Sequence, residues 1–440
     1  MLKTLREAFA QKDLRQKILM TLGLMLLYCV GCFLPIPGID PAVFSKAVNN
    51  SGSNSFLSLL SSLTGGALSK GAWFAIGVSP YITSSIVIQL LSVAIPGLQR
   101  LSKQGSEGRK KIAVITRYVA LVLALVQAIA IVVSIDIVKP ETLLWNVPNF
   151  VIQILVVLSL VAGTMLTVWL GDKITEIGVA NGMSMLVFVG ILTSGVTAFT
   201  NSIVKIFTEG IDAIVTPIVF VLLLVFIFAF IVMFDLAERR IPVTYAKQVK
   251  GNKMYGGQST NIPIKLNATG VMPIIFATAL VNFPQLIMQM LLSFNNKGVI
   301  DAYDWYQTYM GTGTWINIVV TSLLILGFSY FYATLMFNPE EVALQIQRNG
   351  GFILGYRPGK PTIDYLKKVS HRITFFGAVF LMLVAMVPSL LFTNISAISG
   401  DALTTAFTSI GMLVLVSVAL EFDKSIQNQM LMKQYKGFLK

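Results

Sequence analysis

The sequence predicts an all-α integral membrane protein with ten transmembrane helices, and two observations carry this prediction. Of the 440 residues 55% are hydrophobic and only 12% are charged, whereas soluble domains carry about 25% charged residues. A membrane-spanning helix needs about 20 consecutive apolar residues. Runs of that kind lie near residues 18–36, 72–95, 112–135, 149–170, 180–200, 211–236, 268–292, 314–336, 371–393 and 402–420. The connections leave no room for a separate soluble domain.

The basic residues predict that both termini are cytoplasmic. With that orientation, 28 of the 33 Lys and Arg residues lie in the N-terminal arm, the loops 97–117, 171–179, 237–267 and 337–372, and the C-terminal tail. Cytoplasmic segments of membrane proteins carry such an excess of positive charge. The basic N-terminal arm is followed by an apolar run that is too long for a signal peptide, so we expect an uncleaved first helix.

Two features before the second span are unusual. Cys29 and Cys32 have the C-x-x-C spacing of redox sites, but they lie in an apolar span without a βαβ pattern, which favours packing over redox chemistry. Residues 56–63 predict a short helix that stops at Gly65 and Gly66. Eight helical residues cover only about 12 Å, so this half-helix cannot cross a bilayer.

The spans lack the polar groups that catalysis or ion coupling requires. Ionisable residues occur almost only at the span ends, which argues against a proton-coupled carrier, whereas a sodium site built from carbonyls and hydroxyls stays open. His371 is the single histidine and lies at the cytoplasmic start of a span. We therefore expect no enzyme activity, no metal site and no cofactor. Gln89, Gln127, Asn282 and the cluster at 83–85 either join helices or line a path.

The loops 237–267 and 337–372 are long and basic. Loops of more than about 12–15 residues are usually functional. Their charge serves as a topology signal, or it binds an acidic partner such as RNA phosphate or an acidic protein face.

Several motifs resemble those of the SecY family, the protein-conducting subunits of the bacterial Sec translocon. They include "GGALSKGAWFAIGVSPYITSSIVIQLL", "EGRKKIAVITRY", "WLGDKITEIGVANGMSM", "YGGQSTNIPIKLNATGVMPIIFA", "FNPEE" and "GYRPGKPT". The resemblance covers essentially the whole chain, with the motifs in the family's order.

The resemblance implies two five-helix halves of inverted topology around a central pore. The N-terminal half would be 1–200, with helices 1–5 and a plug at about 54–70, and the C-terminal half 201–440, with helices 6–10 and both cytoplasmic loops. The plug would fold back into the outer funnel and contribute little to the helix bundle. Its residues would include Phe56, Leu57, Leu60, Leu63, Gly65 and Gly66.

The resemblance also implies an apolar ring that closes the pore, since apolar walls exclude water. Its members would be Val78, Ile82, Met183, Val187, Ile275 and Val414. A lateral gate toward lipid would lie between the second and third helices and the seventh and eighth, with Thr83, Gln127, Asn282 and Phe283 on the seam.

The implied function is a passive channel that conducts unfolded secretory proteins across the bacterial plasma membrane and releases transmembrane helices laterally into lipid. Its implied partners are SecE, SecG, the SecA motor ATPase, the ribosome, signal sequences, nascent polypeptides and membrane lipids. SecA and ribosome contacts would involve Arg239, Arg240, Lys247, Lys250, Tyr356 and Arg357. An accessory SecY variant for specialised substrates and a small-solute secondary transporter are the alternative readings.

Overall fold

The computed structural model describes residues 9–36, 63–134, 149–209, 215–292, 297–394 and 409–438, and positions 7, 41, 44, 45 and 61. Short gaps inside these ranges fall at 179, 246–247, 251–252, 256–258, 268–269 and 312–313. The side chains at 205–206, 208–209, 215–216, 248–250, 253–255, 282–283, 286, 289–290, 292, 335–336, 389, 391–394, 409–410 and 433–438 also lie outside the description, as do those of 103, 106 and 259.

Helices make up most of the described chain. They are α1 Lys12–Gly31, α2 Ser79–Ala94, α3 Pro96–Lys103, α4 Gly105–Ser134, α5 Asn149–Ile177, α6 Gly182–Glu209, α7 Val215–Asp235, α8 Met272–Leu292, α9 Lys297–Met310, α10 Trp315–Met336, α11 Pro339–Arg348, α12 Lys360–Asn394 and α13 Ser409–Phe438. Each of the ten predicted runs overlaps one of these helices; α3, α9 and α11 lie between runs.

The membrane architecture is confirmed. Among the described helices, seven are long and apolar enough to cross a bilayer, or up to eight if the bent pair α2–α3 counts as one span. In α8 the apolar helical stretch Met272–Val281 is shorter than a full span. The count of ten spans is consistent with these helices and stays a prediction, as does the division into halves at 200 and 201. The helix α6 continues to Glu209, beyond that boundary.

The second predicted span begins later than the hydropathy indicates. Residues 72–78 form turns, and α2 starts only at Ser79, with Pro80 in its first turn. Proline is tolerated there because the first helical N–H groups have no intrahelical acceptor. At its other end, α2 meets α3 at an angle of 106°. The break falls at Ile95, whose backbone is extended before Pro96, as expected for a residue that precedes proline.

The two predicted cytoplasmic loops form a small sheet. Strands β1 Glu238–Tyr245, β2 Gln248–Lys250, β3 Lys253–Tyr255 and β4 Ser259–Lys265 come from the first loop, and β5 Gly351–Ile353 from the second. A three-stranded sheet has the order β4-β1-β5, with Val243 opposite both Thr260 and Ile353, and β2 pairs with β3 as a separate hairpin.

This sheet has its own apolar core. Ile241, Val243, Ile264 and Ile353 pack against Leu366 in the first turns of α12. The sequence predicts that this span starts at 371, after those turns. Charged and apolar residues alternate in them, so their mean hydropathy is too low to be recognised as part of a span. The two basic loops are therefore one folded unit on the cytoplasmic side of the predicted spans.

Helix α13 lies between two hydrophobic clusters. Met412, Leu413 and Val416 pack with α7, α8 and α12, while Val414 and Val418 pack with residues of α1, α5 and α6. The last helix thereby joins the N-terminal and C-terminal parts of the molecule, at the depth where the apolar ring was predicted.

Candidate functional site: constriction, plug and seam

Five of the six predicted ring residues pack into one cluster. Val78 precedes α2 and Val414 lies on α13, and both are almost fully buried, whereas Ile82, Met183 and Val187 are half-buried. Ile275 on α8 packs in the adjoining cluster, to which Ile82 also belongs. Elements from both ends of the chain thus bring the six side chains of the predicted constriction into two adjoining hydrophobic clusters. That they close a pore stays a prediction.

The end of the predicted plug lies directly against α6. A Cβ atom built on Gly190 would overlap the carbonyl oxygen of Leu63, so the two backbones touch only because residue 190 is glycine. Gly65 and Gly66 have φ of 73° and 79°, the left-handed region that glycine tolerates without strain. The helix ends before these two residues and the chain forms a turn there, as predicted. Phe56, Leu57 and Leu60 lie outside the described residues.

The plug contributes more to packing than expected. Ala67 and Leu68 are fully buried, and Leu68 packs with Phe44 and Ile76 in a core cluster. The expectation that the whole segment through residue 68 adds little to the helix bundle is therefore wrong for its C-terminal end. The C-terminal turn of the predicted plug, at residues 64–70, is therefore part of the N-terminal core.

Lys70 lies in this C-terminal turn of the predicted plug, near the Cys32 thiol at the end of α1. The Lys70 ammonium lies 3.5 Å from the centroid of the Phe33 ring and has no hydrogen-bond partner among the described residues. Burial lowers the pKa of Lys70, while Cys32 acts in the opposite direction. Cys29 and Cys32 are free thiols, and Cys29 Sγ lies 3.9 Å from Thr193 Oγ1 on α6. The cysteines pack in the apolar cluster of the constriction, as expected.

A seam runs from the constriction along α2. Ile86 on α2 packs with Phe276 on α8 and Tyr332 on α10. The Phe276 ring lies 5.1 Å from the Tyr332 ring and 5.5 Å from the Phe328 ring, measured between centroids. These contacts hold α2 against α8 and α10.

One polar contact crosses the seam. The Tyr332 hydroxyl donates a hydrogen bond to Gln89 Oε1, and the Gln89 amide also donates to Ser85 Oγ at 3.3 Å. Sequence analysis selected Gln89 as polar but missed Tyr332. A tyrosine inside an apolar helix, close to its cytoplasmic end, is the signal that could have indicated it, because a buried phenol needs a hydrogen-bond partner.

The predicted gate residues lie on α2, α4 and α8, of which α2 and α8 form this seam, and their surroundings differ. Thr83 donates to the Ser79 carbonyl of its own helix at 3.0 Å. Gln127 lies on α4 with its Oε1 buried and without a partner in the described part of the chain. Asn282 and Phe283 belong to α8, and their side chains lie outside the description. Their common membership of one gate stays a prediction.

The predicted docking residues lie on the cytoplasmic sheet and beside it. Arg239 and Arg240 are exposed on β1, and Arg240 Nε lies 2.8 Å from Glu238 Oε1. Lys250 is in β2 but its side chain is not described, and Lys247 lies in a gap.

Between β5 and α12, the Tyr356 ring stacks on the Tyr365 ring with a centroid distance of 4.2 Å. Arg357 is exposed, and its carbonyl accepts a hydrogen bond from Thr362 Oγ1 at 2.8 Å. Gly359 has a φ of 104°, which allows the chain to turn sharply into α12. The Arg357 guanidinium is therefore presented on an ordered turn, next to a groove of about 530 Å³ that Phe352, Tyr356 and Pro358 help to line.

Comparisons with known proteins give a consistent result. The SecY family model matches residues 72–422. Relatives named protein translocase subunit SecY include those of Corynebacterium glutamicum, 38% identical over 99% of both chains, and Thermotoga maritima, 35% identical over 100% of this chain and 98% of the relative.

Solved structures show the same fold. A protein-conducting channel superimposes with a TM-score of 0.64 at 17% identity, covering 93% of this chain and 91% of the other. A structure concerned with the SecY plug domain, described as stabilising the closed channel and the membrane seal, gives 0.63 at 18% identity, covering 92% and 90%. Sec61 in a canine ribosome–channel complex gives 0.59 at 15% identity, covering 93% and 91%.

Proposed function

This chain belongs to the SecY family and is a protein translocase subunit, and we propose that it forms the pore through which unfolded polypeptides cross the bacterial plasma membrane. The observation that supports the proposal is the packing of side chains from α2, α6, α8 and α13 into two adjoining hydrophobic clusters, with the Leu63 backbone against α6. Apolar walls exclude water when the pore is closed and offer a passing chain no strong binding site. The plug would be the second barrier.

The seam between α2 and the pair α8–α10 would be the lateral gate. Among the described side chains, its contacts are aromatic and aliphatic groups and the hydrogen bond from Tyr332 to Gln89, so few of these contacts are polar bonds that must break for it to open. A transmembrane segment would leave through it as a helix, since only a helix satisfies its own backbone groups in lipid. Thr83, Gln127, Asn282 and Phe283 would border that exit.

The cytoplasmic sheet and the Arg357 turn would receive the motor or the ribosome. Arg239, Arg240, Tyr356 and Arg357 would form direct contacts, because a guanidinium binds carboxylate and phosphate with two parallel hydrogen bonds. SecE and SecG would complete the translocon, and both chain termini would be cytoplasmic, in line with the positive charge on that side.

Reconstitution tests this function. The purified complex of this chain with its small subunits, in proteoliposomes with SecA and ATP, should transfer an unfolded precursor to a protease-protected interior. Liposomes without this chain, and samples without ATP, provide the controls. Transport of a small solute along an ion gradient, with no protected precursor, would instead support a secondary transporter.

A further inference from the structure

A cavity of about 260 Å³ lies between the cytoplasmic ends of α10 and α12. It is separate from the constriction, the plug and the seam. Its walls are the last turns of α10, the start of α11 and one stripe of α12. The polar and charged residues that line it include Thr334, Asn338, Glu340, Asp364, Lys367 and His371.

The cavity crosses the predicted cytoplasmic boundary of the membrane. His371 marks the start of a predicted span, and Thr334 lies in the last turn of α10. Tyr330 and Thr334 line the cavity, whereas Tyr332 between them contacts the seam. Because successive helical residues are about 100° apart, Tyr332 points away from the cavity. The cavity therefore lies on the side of α10 that faces away from the seam.

Charges of both signs line this cavity. Asp364, Lys367 and His371 lie three and four residues apart on α12, so they share one face of the helix. Along the helix, Asp364 is about 10 Å farther from the predicted membrane boundary than His371. Glu340, in the first turn of α11, also lines the cavity. None of the ion pairs found in the described part of the chain involves Glu340, Asp364 or Lys367.

We propose that this cavity binds the headgroup of phosphatidylethanolamine from the cytoplasmic leaflet. Lys367 and His371, nearer the membrane, would bind the phosphodiester, and Asp364 with Glu340, farther out, would accept hydrogen bonds from the ammonium group. The order of charges along α12 is the order in which a lipid presents them, phosphate first and amine beyond it. Phe337, just beyond the end of α10, supplies apolar surface for the glycerol and the first acyl carbons.

The charges also distinguish among lipids. An anionic headgroup without an amine would place its phosphate near two exposed carboxylates, and these like charges repel each other. A choline headgroup has no N–H group and cannot donate hydrogen bonds to Asp364 and Glu340. Charge-assisted hydrogen bonds from an ammonium are among the strong ones in proteins. We therefore expect phosphatidylethanolamine to be bound in preference to phosphatidylcholine and phosphatidylglycerol.

Native mass spectrometry of the intact complex tests this site. The complex, exchanged into micelles with equal amounts of the three lipids, should retain phosphatidylethanolamine preferentially. Lys367→Gln should lower its affinity about tenfold or more, because it removes a hydrogen bond to a charged group. Lys368→Gln is the matched control, since Lys368 is equally exposed and does not line the cavity. Thr334→Trp, which fills the cavity without changing charge, should reduce retention as well.

A double variant separates the two ends of the headgroup. Glu340→Gln combined with Asp364→Asn should abolish the preference over phosphatidylglycerol. The proposal is overturned if the wild-type complex retains the three lipids equally or prefers phosphatidylglycerol, or if Lys367→Gln and Lys368→Gln behave alike. Protein translocation does not enter the measurement, so its result is independent of the proposed channel function.

Discussion

At the predicted constriction, single side chains should determine how well water is excluded. Ile275 is half-buried next to Ile82, and the predicted ring contains only apolar groups. Ile275→Asn places an amide there that stabilises water in the closed pore. If the closed state loses about 1.4 kcal/mol, the open fraction rises about tenfold where it is small.

Conductance of single complexes in planar bilayers, without motor or ribosome, measures this leak. Ile275→Val retains an apolar side chain and serves as the control that should stay closed. An Ile275→Asn channel as silent as the wild type would show that this residue does not contribute to the seal.

Tyr332 provides the polar contact across the seam. Tyr332→Phe keeps the ring packed against Phe276 but leaves Gln89 Oε1 without its donor. A net hydrogen bond contributes about 1 kcal/mol, so the seam should open about fivefold more often. The measurable result is export of precursors with defective signal sequences. Tyr330→Phe, on the opposite side of α10, should not have this effect. Equal export by both variants would argue against a gate at this seam.

At the scale of elements, the contact of the plug with α6 depends on one glycine. In Gly190→Ala the new methyl group would overlap the Leu63 carbonyl, so the plug has to move away. The helix itself should be stabilised, because alanine has a helix propensity about 1 kcal/mol better than glycine. We therefore expect a folded channel that leaks ions.

Gly327→Ala on α10 is the matched control, since a Cβ atom there has open space within 4 Å. Bilayer conductance and thermal unfolding of both variants separate a displaced plug from a damaged helix. A closed Gly190→Ala channel would mean that the segment near Leu63 does not act as a barrier.

At the scale of the whole molecule, a passive pore needs a partner that supplies energy, and the Arg357 turn is the proposed contact for it. Arg357→Glu reverses a charge on the exposed turn between β5 and α12 and should abolish SecA-driven export from proteoliposomes. Folding should be unaffected, because an exposed substitution changes stability by about 0.5 kcal/mol or less. Lys368→Glu makes the same charge change on α12 and should export normally. Full export by Arg357→Glu would place the motor contact elsewhere.

Hydropathy and charge were sufficient to predict a helical membrane protein, the approximate position of each long helix, and the Gly65–Gly66 turn. These properties depend on local composition, because a span requires only length and apolarity. Helix ends were less predictable. The start of α12 at Lys360 has no hydropathy signal, since its first turns are polar outside and bury Leu366 under the cytoplasmic sheet.

Contacts between distant segments could be identified only in the folded molecule. The hydrogen bond from Tyr332 to Gln89 joins residues 243 positions apart, and β5 pairs with β1 from a different loop. Many apolar faces on these helices are chemically equivalent, so the amino-acid pattern does not determine which helix faces are in contact. Packing of the helices against one another makes that choice. It brings Val78 and Val414 into one cluster and Ile275 into the adjoining one, from three parts of the chain.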